Sequence, residues 1–410
     1  MKSYKLEGRV INGLDDHVIE KGCVLVEQDK IVFVGTVEEC PNLIPELVET
    51  IQIPNATIMP GFIDCHAHVV GADSQDYDEC TASHMDLILN AAHDLGQLLD
   101  SGFTSIRDMG LFGPSLSRAV DLGLVRGPKI MPSGRIISVT AGHGDHGYQF
   151  SKAYLNEHSP LSVLADGVPE CLEAVRTQFR NGAKFIKVMA TGGVSSPIDK
   201  ITDVQFSETE LKAIVAEAER RGTYVAAHCT GTEGTLNALK AGVKSIEHGV
   251  MLDESCIQIM VENDCTLVST LAISLGIPKM KAVLPAHIYE KGKVCAEKNL
   301  KSIEMARAAG IRIAFGTDYT NSKNTRYSDI GKEFEAMIEA GLTPMEAIQS
   351  ATKNAAYLLK QSDEVGTIEV GKTADLVMVS GNPLEDISVL RGSEKIKIIL
   401  QNGVLVKRSE

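Results

Sequence analysis

The chain of 410 residues is 44% hydrophobic and carries a formal net charge of −14. Such a length and apolar content indicate a globular protein with room for more than one domain, and exclude a disordered one. The acidic balance excludes nucleic acid as a partner, because phosphates require a basic footprint, and no stretch approaches the roughly 18 apolar residues of a membrane span.

The opening MKSYKLEGRV lacks the apolar centre of a signal peptide, so the expected location is the cytoplasm. Nine cysteines lie far apart between Cys23 and Cys295 with no CxxC spacing. Buried reduced thiols are therefore expected, rather than a disulfide framework or a thiolate zinc knuckle.

Taken in order, residues 1–56 form short strands with turns between them. Val24-Leu25-Val26 and Ile31-Val32-Phe33-Val34, split by the polar Glu27-Gln28-Asp29-Lys30, carry a hairpin signature. The chain closes in the same style, with GTIEVGKTADLVMV and KIKIILQNGVLVKR, and Asn402-Gly403 is a hairpin turn. Neither end is long enough for a comfortable sandwich alone. Residues 1–56 and 361–410 are therefore expected to pair into one small β-sandwich domain, with 57–360 inserted between them.

The inserted segment alternates buried-type strands with amphipathic helices. Strands are expected at 57–68, 103–108, 129–136, 184–190, 224–228, 244–248, 266–270 and 311–318. Between two of them, SETELKAIVAEAERRG at 207–222 has a Ser207/Glu210 capping box and a closing Gly222. Strands alternating with helices imply a parallel sheet, and about eight such units fit a closed, TIM-like (β/α)8 barrel, an α/β fold. The stretch from Ser138 to about Pro169 is long and rich in His and Gly, which marks a functional or mobile loop.

In such a barrel the active site sits where strands end. The run TIMPGFIDCHAH ends in His66 and His68, two apart and hence on one face of a strand. An isolated HxH would be no more than two polar residues at a strand exit. Here the other strand ends add Lys187, His228, His248 and Asp318, each closing an apolar run. Six metal-capable groups converging on one mouth point to a metal centre, and imidazole suits zinc and its neighbours. Lys187 is costly to bury charged. It either pairs with an acid such as Asp318 or is carbamylated by CO2, which converts a cation into a carboxylate-like ligand able to bridge two metals.

These residues carry a resemblance to the amidohydrolase superfamily over essentially the whole chain. The motifs are PGFIDCHAH at 60–68, KVMATGG at 187–193, AAHCTG at 226–231, SIEHG at 245–249, FGTDY at 315–319 and GTIEVGKTADLVMV at 366–379. TAGHGDHG at 140–147 is similar to a loop of the binuclear prolidase-like, imidazolonepropionase-related subgroup, whose members include Xaa-Pro and Xaa-Arg dipeptidases and carboxypeptidases. The resemblance implies two divalent ions, with zinc fitting the donors. His66, His68 and Asp318 would hold the first, His228 and His248 the second, and carbamylated Lys187 would bridge them. A hydroxide between the metals would be the nucleophile. Asp318 would shuttle its proton to the leaving amine, and His143, or His146 nearby, would donate a hydrogen bond to the oxyanion. True imidazolonepropionases lack the bridging lysine.

The implied activity is hydrolysis of an amide bond in a dipeptide or N-acyl amino acid. Cyclic-amide hydrolysis, as in hydantoinases and dihydropyrimidinases, is the alternative, and a non-catalytic binding module a remote one. Peptidase relatives often follow the fifth-strand His with a tyrosine, where this chain has Cys229-Thr230-Gly231. Arg107, Tyr148, Tyr319 and Arg326 are the residues considered for a substrate carboxylate, Arg107 more as an ion-pair partner of Asp108 or another acid. Barrels of this kind commonly self-associate, although no patch in the sequence marks an interface.

Overall fold

A computed structural model describes residues 3–41, 48–72 and 82–409. Both chain ends meet in one seven-stranded sheet. Its spatial order is Val404–Arg408, Ile396–Gln401, Leu376–Ser380, Val48–Pro60, Ser3–Ile11, Val18–Glu27 and Lys30–Thr36. The join between the ends is antiparallel, with Met378 opposite Ile58 and Leu376 opposite Pro60. Leu6, Val24 and Ile58 share one buried apolar cluster with Met378, Ile398 and Leu400, so residues far apart in sequence supply a core neither end has alone. The expected hairpins form. Asn402 and Gly403 both have positive φ (51° and 70°), the backbone that a two-residue turn between twisted strands requires.

Eight parallel strands, numbered here as the barrel strands, close the second unit. They are β1 Phe62–Ala67, β2 Phe103–Asp108, β3 Lys129–Pro132 continuing as Ile136–Ser138, β4 Ile186–Met189, β5 Val225–Cys229, β6 Ser245–His248, β7 Thr266–Val268 and β8 Ile313–Ala314. β1 to the first half of β3 form one ladder, and the second half of β3 through β8 another. Backbone bonds from Cys65 N to Phe315 O (2.8 Å) and from His68 N to Tyr319 O (3.1 Å) close β8 onto β1.

β3 differs from the single strand expected over 129–136. Pro132 has no N–H to donate and Gly134 turns with φ 70°, so the chain changes partners there: Lys129–Pro132 pairs with β2, and Ile137 pairs with Val188 of β4. The long 138–169 stretch is not structureless. It holds the helix Lys152–His158 and a short strand, Ser162–Leu164, that pairs beside β3. The helix Glu208–Glu219 starts on the expected Ser207/Glu210 box, and Gly222 (φ 72°) follows its end.

The outer faces of the strands pack against the helices through a cluster that includes Phe62, Phe103, Phe315 and Phe334. Their ring centroids lie 4.5–5.6 Å apart, within the range of favourable aromatic contacts. The barrel interior is different in kind, because Arg107, Lys187 and Glu247 are all buried in it.

A chain ended at residue 375 loses three strands of the terminal sheet and bares one edge of Val48–Pro60. Expression of that truncation should yield aggregate. Soluble monomer with the full-length far-UV circular dichroism would show that the C-terminal strands are dispensable.

Candidate metal centre

Five of the six expected ligand positions lie at or just beyond the carboxyl ends of barrel strands, and the sixth, Lys187, lies within its strand. His66 and His68 close β1, Lys187 is on β4, His228 on β5, His248 ends β6, and Asp318 follows β8. One oxygen of Asp318 lies 3.4 Å from His66 Nε2 and 3.2 Å from His68 Nε2. Ligand atoms of His66, His248 and Asp318 fall within 4.8 Å of one another, the one such group of three among the described residues. The rings of His66 and His248 are 5.0 Å apart and those of His228 and His248 4.7 Å. The donors therefore make one continuous arc, in which His248 lies between His66 and His228.

Backbone geometry shows why two of these residues reach the mouth. Ser245 and Glu247 face the barrel interior, so His248 would point outward in a regular strand. A left-handed backbone at His248 (φ 67°) turns it back, and Asp318 (φ 59°) does the same after β8. Such conformations cost of order 1–3 kcal/mol each in a non-glycine residue and persist where the surroundings impose them. Asp64 supplies part of that imposition. Its buried carboxyl accepts from His66 N (2.9 Å), Thr317 N (3.2 Å) and Thr317 Oγ1 (2.6 Å), tying β1 to the residue before Asp318. Burial pushes the Asp64 carboxyl up to about 7.

Three of the four imidazoles are oriented by a second partner. His66 Nδ1 lies 2.7 Å from Glu247 Oε2, which leaves Nε2 facing Asp318. His248 Nδ1 lies 2.7 Å from Thr270 Oγ1, and His228 Nε2 lies 3.2 Å from the Gly192 carbonyl. A carbonyl only accepts, so His228 holds its proton on Nε2 and keeps Nδ1 as a donor. Thr270 is itself left-handed (φ 47°) and precedes a helix, Leu271–Gly276, whose first N–H groups are capped by the buried Glu333 at 2.8 and 2.6 Å.

Burial holds His66, His228 and His248 well below the ordinary imidazole pKa, with neighbouring His and Lys charges adding to it. Neutral imidazole is the form that binds a metal. Burial works against the charge of Asp318, but His66, His68 and Lys187 outweigh it and hold the carboxyl below the usual range. Lys187 is 1% exposed and forms no ion pair among the described residues; Asp318 faces the two histidines instead, so the pairing considered from sequence is not made. Burial lowers its pKa to about 8. The donor set, the fixed ring nitrogens and the neutral imidazoles all fit divalent metal.

His143, from the GHGD loop, packs its ring 4.5 Å from that of His228. Its Nδ1 lies 3.2 Å from Asp199, which in turn binds Lys291 at 3.0 Å. A side chain at Gly193 would start 2.3 Å from this ring, so the glycine is what admits it. His146 is exposed, its ring 6.3 Å from that of His143.

Among the residues considered for a substrate carboxylate, Arg107 lies outside the mouth. It is fully buried and donates to Cys65 O, Tyr224 Oη, Ser245 Oγ and Glu247 Oε1, so its acid is Glu247 and not Asp108. Tyr319 is buried, Tyr148 exposed, and Arg326 part-buried with Nη1 on Asn321 O. Sequence reasoning missed Glu247, Asp64, Asp199 and Thr270. A signal for Glu247 was present: SIEHG puts an acid two residues after Ser245 on the inner face of a buried strand, where a carboxylate must find a cation.

Residues 57–406 match the amidohydrolase family. Ochratoxinase from Aspergillus niger is 35% identical over 407 residues, covering 94% of this chain and 83% of the relative. A prolidase crystallised with N-methylphosphonate-L-proline superposes with a TM-score of 0.92 at 35% identity, each chain fully covered. A Xaa-Pro dipeptidase with methionine bound in its active site gives 0.88 at 30%, over 99% of this chain and 100% of the other. The chain belongs to the amidohydrolase family. It is an enzyme, a hydrolase of C–N bonds.

Two outcomes follow from this geometry. Exchanging Glu247 for Gln leaves an oxygen but removes the charge shared by His66 and Arg107. Metal affinity, measured by chelator competition, should fall about 10–100-fold, and an unchanged affinity would mean that Glu247 serves only the barrel. In metal-free protein, charged Lys187 costs about 3 kcal/mol at pH 7, and because the folded state binds fewer protons than the unfolded one, stability rises with pH from about 8 toward 10.5. Lys187→Met, in CO2-free buffer with chelator, should therefore be the more stable protein to urea at pH 7 and lose that advantage at high pH.

Proposed function

We propose that this chain is a binuclear metal hydrolase that cleaves the amide bond of a dipeptide or N-acyl amino acid, acting as a dipeptidase or carboxypeptidase. The observation that carries the proposal is the cluster of His66, His68, His248 and Asp318, together with a buried Lys187 that makes no ion pair among the described residues. In this reading His66, His68 and Asp318 would hold one ion and His228 and His248 the other, with carbamylated Lys187 as a further ligand. Carbamate forms from the neutral amine, and a lysine lowered to about 8 reaches that form near physiological pH. Zinc suits the nitrogen and oxygen donors.

Bound metal would lower the pKa of water toward neutrality and polarise the scissile carbonyl. The protein's own groups supply the rest. Asp318, kept ionised by its histidines, accepts the proton of the attacking water and returns it to the leaving amine. His143, steadied through Nδ1 by Asp199 and with its other nitrogen 3.5 Å from Ser195 Oγ, would donate from that nitrogen to the forming oxyanion. The ligands named for the two structural relatives, methionine and an L-proline derivative, both carry a carboxylate, which supports a substrate with a free acid.

Elemental analysis of protein purified without chelator should give two metal ions per chain. A panel of dipeptides, N-acyl amino acids and hydantoins should show release of the C-terminal amino acid. Turnover confined to ring amides would replace the proposal with cyclic-amide hydrolysis, and one metal or none would remove Lys187 as a bridge. Lys187→Ala should lose one ion and most activity, with short carboxylic acids restoring part of it.

A further inference from the structure

The terminal sheet holds a pair of thiols that the barrel chemistry does not use. Cys23 is fully buried on Val18–Glu27, opposite Gly35 of the edge strand Lys30–Thr36. Past that strand the chain turns back. The Glu39 carboxylate accepts from Thr36 N (3.0 Å) and Oγ1 (2.8 Å), Cys40 N donates to Val37 O (3.3 Å), and Val37 N donates to Lys21 O (2.9 Å). Gly35 lets the turn lie close, since an added Cβ there would sit 3.3 Å from Glu39 Oε2. The result sets Cys40 Sγ 3.1 Å from Cys23 Sγ, while both remain free thiols. The six other described cysteines are buried in the barrel unit, from Cys65 to Cys295.

We propose that Cys23 and Cys40 are a modification site, a vicinal thiol pair that closes to a disulfide on exposure to a small-molecule disulfide. The two thiols differ in access, as Cys40 is part-exposed and Cys23 is not. Burial also pushes the Cys23 thiol up to about 12. Cys40, the sulfur that solvent reaches, is therefore the one that attacks. Its sulfur displaces one thiolate from oxidised glutathione and forms a mixed disulfide. Cys23 then loses its proton and attacks the Cys40 sulfur, expelling the second glutathione thiolate. The two protein protons end on two reduced glutathione molecules, so two thiols are oxidised and one disulfide is reduced. The cross-link would staple the edge strand to its neighbour in the sheet.

The test is intact-mass analysis of the folded, full-length protein after incubation with oxidised glutathione. A loss of about 2 Da, reversed by dithiothreitol, with one mapped peptide pair joining Cys23 to Cys40, is expected. Cys40→Ser and, separately, Cys23→Ser should abolish the cross-link, Cys23→Ser leaving a persistent glutathione adduct on Cys40. A persistent adduct on wild-type Cys40, a cross-link between other cysteines, or two thiols still free at equilibrium would each overturn the proposal.

Discussion

Deep in the barrel, Arg107 and Glu247 lie 2.7 Å apart, both without exposed surface, and the other oxygen of Glu247 lies 2.7 Å from His66. A buried charge pair of this kind gains little over apolar packing by itself, but losing either partner strands a charge in low dielectric. The barrel thus commits to a fixed geometry at its centre. Arg107 reaches β1 through Cys65 O, β5 through Tyr224 and β6 through Ser245 and Glu247. Three strands that carry metal-capable histidines at their ends are held in register by one guanidinium.

Above that floor the site is built by imposed orientation. Left-handed residues at His248, Thr270 and Asp318 would be unfavourable in isolation, and each is tied into a hydrogen-bond network. Glu247, Thr270 and the Gly192 carbonyl each use one nitrogen of a histidine, so the remaining nitrogens are fixed as donors before any ion arrives. Binding then costs little rearrangement. The same dry surroundings keep the buried imidazoles neutral, the form that binds a metal, and lower Lys187 to about 8.

Much of this was legible in the chain itself. Buried-type apolar runs located the barrel strands to within a few residues, and five of the eight end in His or Asp, because a strand that opens onto a site must switch from packing to chemistry at its last position. β6 was expected at 244–248 and is Ser245–His248. β3 was not legible as two pieces: the sequence shows Pro132 and Gly134, but only the competition between β2 and β4 for the same backbone shows that pairing changes there. Arg107 was weighed against Asp108, its neighbour in sequence. The structure gives it Glu247, 140 residues away, since adjacent residues on a strand face opposite sides.

The sequence alone determined the alternation of strand and helix, the order of the ligand types and the family they define, because these rest on local periodicity and on motifs a few residues long. Only the tertiary structure decided which nitrogen of His66, His228 and His248 is free, that Lys187 makes no ion pair among the described residues, that Arg107 is a floor and not a substrate contact, and that Cys23 meets Cys40. Each of those depends on which groups from distant segments share one desolvated space. Closure of the barrel and of the terminal sheet sets that neighbourhood, and no local pattern encodes it.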